Sequence, residues 1–344
     1  MIDQAKPLVS ILIVNFNSAD LLKCCLESLK KMDYRNIEVI VVDNASTDGS
    51  VEIIRKFFPA VNLIEAKENL GFTGGNNLAL SRATGRYIAL LNADTEVEPN
   101  WLTHLVDFAE AHEDGGVFAS KVLFFDNKKI INSVGGYADI FGFSPLRGSF
   151  EIDSGQYDKP DTVFYAHGAA MLIRKSLIDR IGFLDETYFI YHEEFDFCWR
   201  AWLSGSKVYC VPAAIAYHKL RGRTFYAKGA LARRQFLVKK NRIRTVIKNH
   251  KSITLMASSI VFNILVSFGE LLFYLLQGDF ESPKGNWQAF VWNIRELPET
   301  LRERLRVQSL YRVNESTVIK NMSKIPYALR ILFGLINGKY KLPL

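Results

Sequence analysis

Asn92 and Asp94 stand two residues apart at the end of an apolar run that begins at Tyr87. Alternate residues of an extended chain point the same way, so both side chains can face one crevice. Open α/β sheets bind ligands at the carboxyl ends of their strands, where Mg²⁺ takes one or two carboxylates beside waters and phosphates. The pair therefore predicts a metal and phosphate site, and a plain turn after a strand is the alternative.

Asp43 closes a second apolar run, Ile37–Val42, and Asn44 and Ser46 follow it. Two strand-end acids in one sheet can point into the same crevice, one toward a sugar or base and one toward a metal. The residues from Asp43 to Ser46 are also typical of a turn. The sequence leaves both interpretations open.

The segment Asn69–Asn77 contains Gly71, Gly74 and Gly75. We interpret it as a loop that enters a helix over Asn76–Ala83. Glycines let a backbone approach a ligand, and a helix N-terminus offers N–H groups to phosphate or carbonyl oxygens. Its spacing matches neither the dinucleotide fingerprint nor the Walker A loop.

Glu193, Glu194 and Asp196 lie at the start of a predicted helix. The helix dipole favours acids there for structural reasons, and Glu193, Asp196 and Arg200 share a face that suits an ion pair. Clustered carboxylates also raise one another's pKa and can supply a general base.

His218 ends a predicted strand and precedes a basic loop with Lys219, Arg221 and Arg223. A lone histidine is more often structural than a ligand. Its position between the acidic cluster and the basic loop favours a functional role, because a leaving diphosphate needs cations or a metal.

Short apolar runs alternate with segments of helical spacing, which predicts an α/β fold with a doubly wound, mostly parallel sheet. The other predicted strands are Val9–Phe16, Val61–Glu65, Val117–Val122, Val163–Ile173 (broken at His167–Gly168) and Lys207–Val211. The other predicted helices are Leu21–Leu29, one ending near Phe58, Trp101–Ala111, Lys175–Ile181 and Glu193–Leu203. Residues 124–161 are irregular and predict a long loop or insertion.

A length of 344 residues suits one large α/β domain with an appendage. The net charge of +7 favours an anionic partner, but no recognition motif supports nucleic acid. The four cysteines lack metal-ligand spacing, so reduced thiols in the cytoplasm are expected. The polar N-terminus predicts no signal peptide.

The apolar segment Ile253–Leu276 is long enough to span a bilayer. Its polar residues fall on one helical face: Ser259, Asn263, Ser267 and Glu270. Both flanks are basic, which argues against a single crossing. We therefore predict a monotopic helix at the cytoplasmic face, with basic flanks on anionic headgroups, and a buried helix of the catalytic domain is the alternative.

The order of these motifs resembles that of a family 2 glycosyltransferase with a GT-A fold, and within that family the rhamnosyltransferase-like branch. The resemblance covers about residues 7–225 and rests on Val9–Asn17, Val42–Gly49, Asn69–Asn77, Leu91–Asp94, Gly168–Ile173, Gly182–Asp185 and Glu193–Asp196.

The resemblance implies inverting transfer from a nucleoside diphosphate sugar with Mg²⁺ or Mn²⁺. Asp94, helped by His218, would bind the metal, and Glu194 would be the base. Substrate would be bound by Asn17 and Asp43 (nucleoside), by Asn69, Gly74, Gly75 and Asn76 (donor), and by Asn92, Arg221 and Arg223. This chain departs from the family pattern at Asn92, which replaces an acid, and at Glu194, which replaces Asp.

We predict transfer of rhamnose from dTDP-rhamnose onto a surface glycan or a polyprenyl-linked acceptor at the inner face of the cell membrane. A UDP-hexose or UDP-galactofuranose transferase is the alternative, and a non-catalytic sugar-binding homologue is a further one. If Glu194 is not the base, Glu193 or Asp196 takes that role. The predicted domains are 1–230, catalytic, and 231–344, a helical extension.

Overall fold

The computed structural model describes residues 6–219, 230–276, 278–323 and 325–329. These residues form two compact units. The first holds the chain up to Gly136 and from Leu146 to the end of the last strand. The second holds the helices that follow, together with the loop Tyr137–Pro145. That loop lies in the irregular segment noted above, and its place in the helical unit has no sequence signal.

The described part of the first unit is built on a sheet of ten strands. They are β1 (Val9–Asn15), β2 (Ile37–Asp43), β3 (Asn62–Glu65), β4 (Tyr87–Leu91), β5 (Thr95–Val97), β6 (Gly115–Phe124), β7 (Ile131–Ser133), β8 (Asp161–Thr162), β9 (Ala170–Arg174) and β10 (Lys207–His218). The order is β3-β2-β1-β4-β9-β6-β10-β5, with β7 on β6 and β8 on β10.

β1, β2, β3 and β4 pair in parallel, as do β6 and β10, whereas β9 lies antiparallel between β4 and β6. β4, β6 and β10 therefore point the same way, and their carboxyl ends reach one edge of the sheet. β5 is antiparallel to β10 and pairs Thr95 with His218. This register places Asp94, the residue before β5, next to His218 at the end of β10.

The described part of the first unit contains six α-helices: α1 (Ala19–Lys30), α2 (Ser50–Phe57), α3 (Gly71–Leu80), α4 (Trp101–Ala111), α5 (Lys175–Ile181) and α6 (Glu193–Leu203). In α1, Leu22, Leu26 and Leu29 are spaced three or four apart and are buried in the core. The strands β1 and β4 are apolar and buried along nearly their whole length, as strands covered on both faces must be. The predicted α/β fold is confirmed.

Several predicted elements differ from the structure in extent, including β10, which continues past the predicted end at Val211 to His218, and two further differences bear on the site. The glycine-rich segment is not a loop: α3 begins at Gly71, so Gly74, Gly75 and Asn76 are helical. A Cβ on Gly75 would come within 2.8 Å of Val14, so this glycine permits close packing of helix on strand. The predicted strand Val163–Ile173 is also wrong in extent, because β9 begins only at Ala170, after His167–Gly168.

The described part of the second unit contains five helices. They are α7 (Ala230–Asn249), α8 (Ile253–Leu276), α9 (Glu281–Arg295), α10 (Leu297–Gln308) and α11 (Glu315–Ile319). α7 carries much of the basic run, yet Lys239, Arg244 and Lys248 are buried. Arg244 Nη1 contacts the Glu299 carboxylate at 2.5 Å, and Lys239 Nζ contacts that of Glu270.

We predicted that the basic run before α8 lies on lipid headgroups. This prediction is wrong for five cations of α7, because their side chains are buried. They are Lys239, Lys240, Arg242, Arg244 and Lys248. The sequence shows their charge but not the partners within the unit that compensate for burial, such as Glu270 and Glu299.

In α8 the polar residues face inward and the apolar ones face outward. Ser259 Oγ donates to the Ile140 carbonyl at 2.7 Å, and Asn263 Nδ2 donates to that of Phe141 at 2.9 Å. On the opposite side, Phe268 and Leu272 are more than 60% exposed. Among the described residues, α8 is the one helix long and apolar enough to cross a membrane.

Candidate active site

Asp94 and His218 meet at the carboxyl edge of the sheet. Asp94 lies between β4 and β5, and β5 pairs antiparallel with the end of β10. His218 Nε2 is 3.2 Å from Asp94 Oδ1, and the Lys219 N–H donates to the Asp94 carbonyl at 2.9 Å. The structure thus brings together the two residues predicted as metal ligands.

Two amides fix the orientation of the His218 ring. Its Nδ1 lies 3.2 Å from Asn132 Oδ1, which can only accept a hydrogen bond. Its Nε2 lies 3.4 Å from Asn92 Nδ2, which can only donate one. In this arrangement His218 Nε2 faces the Asp94 carboxylate, and Nδ1 faces the Asn132 amide oxygen.

The imidazole nitrogen of His218 and the carboxylate oxygen of Asp94, 3.2 Å apart, are both ligand types that a divalent metal accepts. Within the residues that the structure describes, no third His, Cys, Asp or Glu completes a metal-binding group. Two protein ligands nevertheless suit Mg²⁺ or Mn²⁺, because substrate phosphate oxygens and waters fill the other positions. Asn132 would act as the outer partner that sets the tautomer of a ligating histidine. The donor set therefore fits the metal that the sequence predicts.

Glu193 and Glu194 begin α6 and lie in a largely buried environment. The Gly168 N–H donates to the carboxylate of Glu194. Burial raises the pKa of Glu194 to about 7. Burial, and then the neighbouring Glu194, raise the pKa of Glu193 well above its ordinary value. Glu194 therefore titrates near neutral pH, as a general base requires.

His167 links the acidic cluster to the Asp94–His218 pair. It directly precedes Gly168, and its ring centroid lies 5.7 Å from that of His218. Burial, and then the charge of His218, lower the pKa of His167 to about 3, so its ring is neutral. Its Nδ1 has no hydrogen-bond partner among the described residues. The sequence showed this residue only as a break in an apolar run.

Asp196 occupies a different environment from Glu194. Its Oδ2 accepts from Arg200 Nε at 2.9 Å, and its Oδ1 accepts from the Tyr188 hydroxyl at 3.2 Å. Arg200 also donates to the carbonyl of Ile181 at 2.9 Å. This buried ion pair ties α6 to the end of α5, in keeping with the structural alternative that the sequence left open.

Asn17 and Asp43 meet around Ser46. Asp43 Oδ1 accepts from Asn15 Nδ2 at 2.8 Å, and its Oδ2 accepts from the Ser46 N–H at 2.9 Å. The Asn17 N–H donates to Ser46 Oγ at 2.9 Å, and Asn17 Oδ1 accepts from the Thr47 N–H at 2.8 Å. The Asp43 carboxylate therefore closes the turn after β2, at the same edge as Asp94.

The N-terminus of α3 does not present all its N–H groups to solvent. The N–H groups of Phe72 and Thr73 donate to the carbonyl of Phe189 at 2.7 and 3.2 Å. Asn69 Oδ1 accepts from the Gly71 N–H at 2.9 Å and closes the preceding turn. Asn76 is buried, and its Nδ2 donates to the Phe72 carbonyl at 2.8 Å.

Gly74 is a packing position, because a Cβ there would lie 2.9 Å from that of Leu70. The predicted diphosphate-binding residues Arg221 and Arg223 lie outside the described residues. Asn132 had no sequence signal, since it stands in an irregular segment far along the chain from His218.

The sequence profile of Glycosyl transferase family 2 matches residues 10–182, just over half of the chain. That range contains the strand-end residues Asn17, Asp43 and Asp94. The chain therefore belongs to Glycosyl transferase family 2.

Two relatives illustrate the similarity. An uncharacterized glycosyltransferase of Haemophilus influenzae is 25% identical over 224 residues, which cover 63% of this chain and 66% of that protein. The UDP-Glc:alpha-D-GlcNAc-diphosphoundecaprenol beta-1,3-glucosyltransferase WfaP of Escherichia coli is 36% identical over 108 residues, which cover 31% of this chain and 43% of that protein. The alignments span less than two thirds of each relative's length.

Among solved structures, the mannosyltransferase PcManGT from Pyrobaculum calidifontis, in complex with GDP-Man and Mn²⁺, superposes with a TM-score of 0.55. It is 17% identical, and the alignment covers 98% of this chain and 89% of that one. This likeness is one of fold, and it confirms the predicted GT-A architecture.

Proposed function

We propose that the protein is an inverting glycosyltransferase that uses a nucleoside diphosphate sugar and Mg²⁺ or Mn²⁺. The observation that carries the proposal is the meeting of Asp94 and His218 beside the His167–Gly168 turn, which in turn contacts Glu194. A cation site and a base of near-neutral pKa thus stand on one edge of the sheet.

In the proposed reaction, Glu194 accepts the proton of the acceptor hydroxyl while that oxygen attacks the anomeric carbon. The bond from that carbon to the diphosphate breaks, and the configuration inverts. Asp94 and His218 would hold the metal, which supplies charge stabilisation to the leaving diphosphate. The Gly168 N–H orients the Glu194 carboxylate, and Asn17 and Asp43 hold the nucleoside.

The proposed donor is dTDP-rhamnose, since Asn92-Ala93-Asp94 is the form of the motif in rhamnosyltransferase-like proteins. A UDP-hexose or UDP-galactofuranose is the alternative, and the similarity to WfaP, a glucosyltransferase by name, supports it. The proposed acceptor is a surface glycan or a polyprenyl-linked sugar. A non-catalytic sugar-binding role is the weaker alternative, because the candidate base and both candidate metal ligands are present.

We also propose that the helical unit attaches to the inner face of the cell membrane without crossing it. The polar side of α8 is engaged by Ile140, Phe141 and other groups of its own unit. Its opposite side is apolar and exposed, and so are Trp287 and Ile294 of α9. Exposed apolar helices flanked by exposed cations, here Arg295 and Arg302, suit the boundary between anionic headgroups and acyl chains.

The experiment that tests the activity is transfer and hydrolysis with a panel of dTDP- and UDP-sugars, with Mn²⁺ and with EDTA. We expect turnover with Mn²⁺ and strong loss with EDTA. Calorimetry should show tighter binding of dTDP than of UDP with Mg²⁺. Preference for UDP would overturn the rhamnose assignment, and unchanged turnover in EDTA would overturn the metal.

The matched variant for the metal site is Asp94→Ala, with Asp179→Ala on the exposed side of α5 as the control. We expect Asp94→Ala to abolish metal-dependent nucleotide binding, because it removes the charged ligand, while Asp179→Ala binds normally. Normal metal-dependent binding by Asp94→Ala would place the metal elsewhere.

A further inference from the structure

A cavity of about 280 Å³ opens beside the Asp94–His218 pair, at the end of β6. Phe124 and Phe150 line it with their aromatic rings, Asp126 and Asn127 are the polar residues of its lining, and His218 lines it as well. None of the first four has a role in the reaction described above. The cavity and the candidate metal site share His218, so a ligand here would lie next to the reacting groups.

The sheet fixes this neighbourhood. The parallel register of β6 and β10 pairs Phe124 with His218, and the Phe125 N–H donates to the His218 carbonyl at 3.1 Å. Phe124 and the candidate metal ligand His218 thus sit on adjacent strands. Their pairing places the Phe124 side of the cavity next to His218.

Phe150 has two features that packing does not explain. Its backbone has φ +66°, a left-handed conformation that is costly for a bulky residue. Its side chain is 76% exposed, so it gains little from burial in the core. The conformation is held by hydrogen bonds from the Phe150 N–H to the Ile131 carbonyl and from the Ile131 N–H to the Glu151 carbonyl, both 2.9 Å.

The strained backbone presents the Phe150 ring beside that of Phe124, with centroids 5.1 Å apart and planes 30° apart. Strain of this kind concentrates at ligand-binding positions. Small-molecule sites combine such aromatic surfaces with a few placed polar groups. A sugar ring matches both parts, because its C–H face is apolar and its rim carries hydroxyls that Asp126 and Asn127 can bind.

We propose that this cavity is the acceptor subsite and that Phe124 and Phe150 hold a sugar ring of the acceptor glycan. The inference rests on the proposed glycosyl transfer and adds where, and by which surface, the acceptor binds. A lipid surface fits less well, because the carboxylate of Asp126 would meet anionic headgroups. The position next to His218 places a bound acceptor sugar beside the candidate metal site.

The test uses the full-length protein with Phe150→Ala and Phe150→Gly. Both remove the ring, but glycine adopts positive φ without strain, so a loss shared by both variants does not arise from the backbone. Phe150→Tyr keeps an aromatic face and serves as the rescue. Phe57→Ala, which removes an exposed ring at the end of α2, is the control.

Two measurements are made. Saturation-transfer NMR follows binding of methyl hexosides, and kinetics with octyl hexosides and the best donor give kcat and KM. For Phe150→Ala and Phe150→Gly we expect weaker hexoside binding and a rise in acceptor KM of roughly 2- to 12-fold. This range corresponds to the free energy that one aromatic contact contributes. Donor hydrolysis without acceptor should stay unchanged in all variants. Phe150→Tyr and Phe57→Ala should behave as the wild type does in both measurements.

Unchanged hexoside binding and acceptor KM in both ring deletions would overturn the proposal. So would a fall in melting temperature or in vesicle binding without a change in hexoside binding, since Phe150 would then serve packing or the membrane. If the wild type turned over no nucleotide sugar but lost hexoside binding on Phe150→Gly, the sugar subsite would stand and the proposed transferase would fail.

Discussion

The two units of this protein differ in how many basic side chains they bury and in how many large apolar side chains they expose. In the α/β unit, apolar strands such as β1 and β4 form the interior, and polar groups collect at the carboxyl edge of the sheet. In the helical unit, the interior contains Lys239, Arg244 and Lys248, and large apolar side chains lie on the outside. The first arrangement is that of a protein folded in water.

The second arrangement supports the proposed attachment of the helical unit to a membrane. Exposed apolar patches of this extent mark binding to a membrane or to a partner. The buried cations are tolerable because carboxylates such as Glu270 and Glu299 contact them. Three predictions test this difference between the two units.

The largest effect concerns Glu194, the candidate base of the α/β unit. Glu194→Gln should keep donor binding and lower turnover about 10²–10⁴-fold, because glutamine cannot accept the proton. The wild-type rate should rise with pH through about 7, since Glu194 must lose its proton to act and its pKa lies near that value. Steady-state kinetics from pH 5.5 to 8.5 measure both.

Glu193→Gln is the control for this experiment and should retain most of the turnover. Near-normal turnover in Glu194→Gln would instead move the base to Glu193 or Asp196.

The second effect concerns the outward side of α8. The double variant Phe268→Ser with Leu272→Ser should weaken binding to vesicles that contain phosphatidylglycerol by roughly tenfold or more, because each apolar side chain contributes about 1.5–3 kcal/mol on burial. The melting temperature should not fall, since both side chains are exposed. Cosedimentation and thermal melts measure the two outcomes.

Phe57→Ser, which changes an exposed phenylalanine of the α/β unit, should bind vesicles as the wild type does. A large drop in melting temperature for the α8 double variant, with no loss of vesicle binding, would show that this face packs on protein.

The smallest effect is on stability, and it is measured by replacing two acids, Glu270 of the helical unit and Glu193 of the α/β unit, with glutamine. Glu270 contacts Lys239 and accepts from Asn286 Nδ2 at 2.9 Å, so Glu270→Gln should lower the free energy of unfolding by roughly 1–3 kcal/mol. For Glu193, the structure gives no ion pair to a cation among the described residues, and burial raises its pKa. Glu193→Gln should therefore stabilise the protein at alkaline pH.

The sign follows from proton binding. The folded pKa of Glu193 is raised, so the folded state holds its proton more tightly than the unfolded state. The protonated Glu193 carboxyl therefore contributes to the stability of the folded state below the unfolded pKa of about 4.3. This contribution is lost as the pH rises through the pKa of Glu193 in the folded state. Urea denaturation should show a larger gain for Glu193→Gln at pH 8 than at pH 5. If Glu270→Gln and Glu193→Gln changed the free energy of unfolding in the same direction at pH 8, the proposed difference between the two units would be contradicted.

The sequence predicts the sheet well because buried parallel strands are continuous apolar runs. The observed β1 and β2 match the predicted strands to within one residue at each end. The family resemblance, and not the apolar runs alone, implies that Asp94 and His218 act together, and the structure places them 3.2 Å apart. The sequence misplaces the start of α3, since glycines favour a loop locally whereas packing of Gly75 on Val14 favours the helix.

The remaining features depend on contacts between distant segments. Nothing in the residues around Asn132 indicates that its amide orients His218, and nothing around Lys239 indicates that Glu270 accompanies it into the interior. Charge patterns in sequence indicate exposure by default, so the buried basic face of α7 could not be predicted from its composition.

The register that joins β5 to β10 has a consequence for the order of events during synthesis. Asp94 leaves the ribosome long before His218, and the two are neighbours only through pairing of Thr95 with His218. A chain that ends before β10 contains most of the sheet but only half of the candidate metal-binding pair. Such distant contacts form late, because loop-closure entropy opposes them. The proposed metal site is therefore complete only once the last strand has paired, and a nascent or truncated chain would lack it.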